Sequence, residues 1–174
     1  MSNTERFSAE LTAIGGHVFV APDVAQAREY IEKLMQTTGG LSRAAARPAV
    51  ACLGLPPMAT SEKLEKLSDV RLGITQADYA LADTGTLVVF SEAGEGRTLS
   101  LLPPVHVAVV EESRILAGLD ELMEREPRFP ERSSAMIFIT GPSRTADIER
   151  TLTVGVHGPG ELHVVVLCGT IGTS

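Results

Sequence analysis

The sequence predicts an α/β fold in which helices cover a mostly parallel central sheet, all within a single domain spanning residues 1–174. Three observations carry this expectation. Short, uninterrupted apolar runs recur between turn residues, as in VHVAVV at 105–110, AMIFIT at 135–140 and LHVVVL at 162–167, and runs of that kind suit strands buried on both faces. Segments with apolar residues at helical spacing alternate with them. Two β-α units stand in succession near the amino end, an order that favours parallel pairing.

Residues 1–16 read as an amino-terminal helix, because Phe7, Leu11 and Ile14 share one face and Gly15-Gly16 supplies a left-handed stop. Residues 17–21 are a first strand. Asp23 and Gln26 have the spacing of a capping box, and Val24, Ala27, Ile31, Leu34 and Met35 trace the inner face of the helix they open. Residues 37–48 mix Thr-Gly-Gly, Ser-Arg and alanines, which reads as a loop or a short helix. Residues 49–53 form a second strand, and residues 60–67 a surface helix with Leu64 and Leu67 inward.

Two extended arms, 73–83 and 87–90, meet at Thr84-Gly85-Thr86. Residues 91–97 form an exposed loop. After the strand at 105–110, Ser113 caps a helix with Ile115, Leu116, Leu119, Leu122 and Met123 on one side. A charged linker at 125–134 leads into the strand at 135–140, the sequence Gly141-Pro142-Ser143 turns the chain into a helix, and a tail at 169–174 follows the last strand. The strands centred on Val18, Val50, Val88, Val107, Ile137 and Val165 are expected in one sheet.

Composition excludes several classes of function. Fifteen basic against 22 acidic residues, a formal net charge of −7, argue against nucleic acid as a partner, and 4% aromatics without Trp leave few stacking platforms for a single strand. Four scattered His and two Cys, with no CxxC or HExxH, leave no self-contained metal site, and neither a metal nor another bound cofactor is expected. Cys52 and Cys168 sit in apolar runs and read as inert buried thiols of a reducing compartment. Residues 1–10 lack the pattern of a signal peptide, and no apolar run approaches the ~20 residues of a membrane span, so a cytoplasmic protein is expected. There is no GxGxxG after a strand, no Walker A sequence and no GxSxG elbow, which removes dinucleotide binding, P-loop hydrolysis and α/β-hydrolase chemistry.

The residues with chemical promise cluster late in the chain. Arg144, in the first turn of the expected helix, is disfavoured by the positive helix end unless it faces an anion, and Ser143 and Thr145 beside it can cap free amides. Asp147 either complements that helix end or acts as an acid/base. His157, between Gly155 and Gly158, is a loop imidazole able to titrate near neutrality, or else a turn residue bonded to a nearby carbonyl. Thr84, Gly85 and Thr86 offer hydroxyls and turn amides of the type that hold oxyanions. Arg97, beyond a glycine-containing loop, is placed to close over a carboxylate or phosphate. His17, His106 and His163 lie in or beside strands and read as satisfied structural residues.

Several of these stretches, taken together, resemble the LUD domain, the lactate utilization protein C family, formerly a domain of unknown function. The residues that carry the resemblance are Gly73-Ile74-Thr75 with Ala77-Asp78, Ala82-Asp83-Thr84-Gly85-Thr86, the stretch from Arg97 to Pro103, residues 141–149 (GPSRTADIE) and residues 155–159 (GVHGP). It runs from about Val18 to the end of the chain. The resemblance implies a three-layer α/β/α sandwich similar to the sugar-phosphate isomerase and CoA-transferase superfamily. It also implies a part in bacterial oxidation of L-lactate to pyruvate beside partner proteins that carry an iron–sulfur flavin-type or ferredoxin-type redox apparatus. Few cysteines fit the C-type subunit and exclude the cysteine-clustered B-type. The chain departs from many relatives in lacking a longer helical lead.

Two readings of function follow. One is a subunit of a lactate-oxidising system that holds a small anionic ligand through Thr84, Gly85, Thr86, Arg97, Ser143, Arg144 and Thr145. The other is a stand-alone isomerase or transferase acting on a phosphorylated or carboxylated small molecule, with His157 or Asp147 as acid/base.

Overall fold

The computed structural model describes residues 1–45, 47–55, 69–91, 98–133, 135–146, 152–154 and 158–169. The chain opens with helix α1 (Asn3–Ala13), strand β1 (His17–Ala21) and helix α2 (Val24–Thr38). The cap at Asp23 is as expected, and a second stands at Ser2. Ser2 and Glu5 exchange the two bonds of a capping box at the start of α1, and the Asp23 carboxylate accepts the Gln26 N–H at 2.8 Å at the start of α2, each cap contributing about 1 kcal/mol. Strand β2 (Leu41–Ala44) and helix α3 (Pro48–Ala51) follow.

Next come β3 (Val70–Gln76), β4 (Tyr79–Leu81), β5 (Thr86–Phe90), the short helix α4 (Thr98–Leu101) and β6 (Val105–Glu111). A 3-10 turn at Glu112–Arg114 leads to β7 (Ile115–Leu116), α5 (Leu119–Arg125), α6 (Phe129–Arg132) and β8 (Met136–Ile139). The described chain closes with β9 (Arg144–Ala146), β10 (Leu152–Val154) and β11 (Glu161–Leu167). Among the described residues, no helix is long and apolar enough to cross a membrane.

The central sheet has the order β1-β11-β6-β3-β2, and all four of its pairings are parallel. On one face Val107, Val109, Val165, Leu72 and Ile74 pack against Ile31 of α2 and Val50 of α3. On the other, Ala108, Val110, Val164 and Val166 meet Phe7 and Leu11 of α1 and Ala80, Leu87 and Ile115. Those last three belong to a second sheet, β7-β4-β5-β8, whose far side packs Val88 and Phe90 against Leu122 and Phe129. The mostly parallel sheet flanked by helices is as expected, with a second sheet inserted on one side.

Several local expectations are corrected. The strands at Val88 and Ile137 lie in this second sheet, where β5 pairs antiparallel with both β4 and β8. Val50 lies in a helix, because Pro48 fills a first helical position where its missing N–H costs nothing, and the flanking alanines are strong helix formers. The second strand comes earlier, at β2, inside the stretch read as a loop. Residues 115–116 leave the expected helix to pair with β4, and the helix starts after Gly118 instead. The expected helix at 60–67 and the loop at 92–97 lie outside the described residues.

Three buried contacts lock the carboxyl end of β3. The Asp78 carboxylate receives the Arg47 guanidinium through one oxygen at 2.5 Å and the Phe90 N–H through the other at 2.7 Å, with side chains 7% and 10% exposed for Asp78 and Arg47. Gln76 Oε1 accepts the Ala49 N–H at 2.8 Å. One carboxylate thereby ties the start of α3 to the end of β5. Asp78→Ala removes the carboxylate that both the Arg47 guanidinium and the Phe90 N–H use, so it should lower stability by about 3–5 kcal/mol. Urea denaturation of both proteins measures this, and a loss below about 1 kcal/mol would mark the pair as surface-like.

Candidate functional site

The parallel strands share one direction, so the sheet has an amino edge, where the strands begin, and a carboxyl edge, where they end. Open α/β sheets commonly bind ligands at the carboxyl edge. Here Arg47, Asp78, Gln76 and Ala49 occupy that side with their own bonds. The two thiols also lie toward it. Burial, against a backbone hydrogen bond and with some help from Glu111, pushes the Cys52 thiol up, and burial with Glu112 does the same for Cys168, which keeps both as thiols near neutral pH.

The sequence motifs instead converge toward the amino edge. Gly85 has φ +63° at the tip of the β4–β5 turn, and a Cβ there would lie 2.5 Å from the Leu11 backbone nitrogen, so this glycine lets the turn pack on α1. The Thr84 hydroxyl donates to Thr86 Oγ1 at 2.8 Å, and Thr86, 5% exposed, shares a further 2.8 Å bond with Thr140. Thr140 precedes Gly141, which turns with φ +80° against Ile14. The Ser143 N–H donates to the Pro159 carbonyl at 2.8 Å, a Cβ on Gly158 would touch Ser143, and the Gly160 N–H donates to Pro104 at 2.9 Å. A continuous path thus runs from Thr84 to the starts of β6 and β11.

One expectation about this path is overturned. The segment after Ser143 does not begin a helix: Arg144–Ala146 is β9, paired antiparallel with β10 in the register Arg144↔Val154. The Ser143 amide, which a helix start would leave for a cap, is committed to Pro159, and β-branched Thr145 stands opposite Thr153 in the ladder. Arg144 and Thr145 thus stand in a strand and not in the first turn of a helix. Asp147, His157 and Arg97 lie outside the described residues.

Sequence reasoning set aside the histidines of the amino edge, and the structure brings them forward. His17 and His163 are register partners in β1 and β11, with rings stacked at 4.6 Å. His163 Nδ1 bonds the Tyr30 hydroxyl at 2.9 Å, while Nε2 is buried with no hydrogen-bond partner among the described residues, 3.6 Å from Glu161 Oε2. Burial, then the neighbouring His17, lowers the His163 pKa, against the opposing pull of Glu161, and burial raises that of Tyr30. The carboxylate beside Nε2 favours a proton there, with Nδ1 accepting from the phenol. His106, fully buried, bonds Thr75 Oγ1 through Nε2 at 2.8 Å, and its Nδ1 has no partner among the described residues. The sequence shows each histidine near a strand start. That β1 and β11 are neighbours is a long-range fact no local pattern carries.

Residues 45–167 match the LUD domain family. Lactate utilization protein C of Halalkalibacterium halodurans is 43% identical over 101 residues, covering 55% of this chain and 44% of that protein. The protein of the same name from Geobacillus thermodenitrificans is 31% identical over 166 residues, covering 91% of this chain and 65% of its own length. The chain spans about half the length of most of the curated relatives it matches. The crystal structure of a DUF162 family protein from Deinococcus radiodurans shares the fold, with a TM-score of 0.66 at 24% identity over 96% of this chain and 99% of that one.

The buried His106 gives the amino edge a pH signature. Burial pushes its pKa down to about 4, whereas in the unfolded chain it titrates near the ordinary ~6.5. Between those values the unfolded state binds the extra proton, so this contribution is complete above pH ~6.5 and is lost as pH falls toward about 4. His106→Gln should flatten this part of the stability profile. Thermal melts of both proteins from pH 7 to 4 measure it, and parallel profiles would contradict a neutral buried imidazole.

Proposed function

The chain belongs to the LUD domain family, and on that footing we propose that it serves in lactate utilization, as a subunit that holds a small carboxylate during oxidation of L-lactate to pyruvate. The observation that carries this reading is identity of 38–43% to four proteins named Lactate utilization protein C. Converting lactate to pyruvate releases two electrons and two protons, and two cysteines are too few to hold a cluster that would take the electrons. Iron–sulfur partner proteins in the cytoplasm are the electron acceptors in this reading.

The ligand site of this reading lies where the loop after Thr140 meets the loop before β11. Support comes from the hydroxyl path through Thr84, Thr86 and Thr140, and from the Ser143–Pro159 bond that holds the two loops together. Ser143, Arg144 and Thr145 are the donors of this reading. Arg97 is a further cation for the anion, and Asp147 and His157 are the candidate acid/base groups. Because β9 brings no helix end, the guanidinium of Arg144 is the principal attraction for an anion. Its fork can engage both carboxylate oxygens.

A charge-assisted bond of this kind contributes about 1.5–3 kcal/mol, so Arg144→Ala should weaken anion binding roughly ten- to hundred-fold, and Arg144→Lys should restore only part of it. Calorimetric titration with lactate, pyruvate and phosphate reads the effect. Wild type that binds none of them, or variants with unchanged affinity, would remove Arg144 from the site. Lactate-dependent dye reduction should need the partner subunits, and turnover by this chain alone would refute the division of labour.

A further inference from the structure

A recess of about 540 Å³ opens at the amino edge, between the end of α2 and the starts of β3, β6 and β11. Its lining includes none of Thr84, Thr86 or residues 141–143. Leu34, Pro104 and Val105 give it apolar walls, and Arg71, Glu161 and His163 give it charge and a titratable ring. Arg71 is exposed, and no described residue pairs with its guanidinium. The Glu161 side chain is 63% exposed and able to swing aside.

His163 is the unusual member. Its side chain is 9% exposed, its ring is clamped by the stack on His17 and the bond to Tyr30, and Tyr30 is itself stacked on Phe19 at 4.4 Å. The ring is therefore pre-positioned, with one nitrogen committed and Nε2 facing Glu161 at a distance too long for a hydrogen bond. A buried donor of this kind is completed by an acceptor. The burial that lowers the pKa of His163 keeps it a neutral donor, one that does not need a countercharge.

We propose that this recess is a binding site for a small organic carboxylate with a short apolar chain, its anionic group paired with Arg71, one oxygen accepting the His163 Nε2–H, and its carbon body against Leu34 and Val105. The site does not depend on the lactate reading, because it uses none of the residues invoked there. Glu161 opposes an anion by like charge and shields Nε2 when the recess is empty. Arg71 and Glu161 thus act with opposite signs on the same ligand.

The test is a titration of the full chain with butyrate, followed by the histidine ring resonances in NMR spectra. A saturable shift of the His163 signals is expected. Arg71→Ala should weaken binding roughly ten-fold or more, Glu161→Gln should strengthen it several-fold, and Tyr30→Phe, which keeps the stack on Phe19, should weaken it several-fold with an unchanged melting curve. Inorganic phosphate in place of butyrate should bind more weakly, since it leaves the apolar walls unused. No saturable shift up to about 50 mM butyrate overturns the proposal. So does an affinity indifferent to both Arg71→Ala and Glu161→Gln, or a response confined to residues 141–143 with His163 unmoved.

Discussion

The pairing of β6 with β11 is the constraint on which the rest of the molecule depends. Seven consecutive residues of each strand run in parallel register, from Glu161↔Val105 to Leu167↔Glu111, and nearly every side chain along both is buried. Neither face of such a pair tolerates water, so both must be covered. Each buried Val contributes about 1.5–3 kcal/mol relative to exposure. The covers are α2 and α3 on one side, α1 and the second sheet on the other. Once they are in place, only the two ends of the strands remain as places where polar groups can meet a ligand.

The two ends are not equivalent. At the carboxyl end, Asp78 accepts from Arg47 and the Phe90 N–H, and Gln76 Oε1 accepts the Ala49 N–H. The amino end is held by backbone bonds between loops, Ser143 to Pro159 and Gly160 to Pro104, while His106 and His163 each retain a nitrogen without a partner among the described residues. Unmet polar capacity therefore collects at the amino edge, away from the usual crevice of open α/β sheets. Gly73 adds to this arrangement: a Cβ there would lie 2.1 Å from the Leu99 carbonyl, so the α4 segment reaches the sheet only over a glycine. Gly73 and Gly85, both in stretches that carry the resemblance, each have a packing role.

What was legible in the sequence was local. The cap at Asp23 matches its signature, the faces of α1 and α2 follow from helical spacing, and the apolar runs of β1, β6 and β11 identify themselves. Membership of a particular sheet was not legible, because an apolar run at 87–90 or 136–139 looks the same whether it pairs in parallel or in an antiparallel ladder. The run at 49–53 misled for a related reason: buried helix and buried strand share apolar character, and Pro48 decided between them. Asp78 was visible only as part of the resemblance, and its partner Arg47 was not singled out. The hairpin after Ser143 was hidden by a Gly-Pro-Ser sequence that suits a helix start. For the site, the sequence offers Thr84, Thr86 and Ser143 as candidate ligand residues, while His163 reads as structural because its neighbours Tyr30 and His17 are distant from it in the chain.

If ligand chemistry belongs to the amino edge of the parallel sheet, as proposed, a crystal structure of the full chain grown with lactate or pyruvate will show it. Ordered ligand density is expected, bounded by residues 104–106, 141–143 or 158–163, with the Arg47–Asp78 pair unaltered. Ligand density at the carboxyl edge, displacing Arg47 from Asp78 or lying between Cys52 and Cys168, would contradict it.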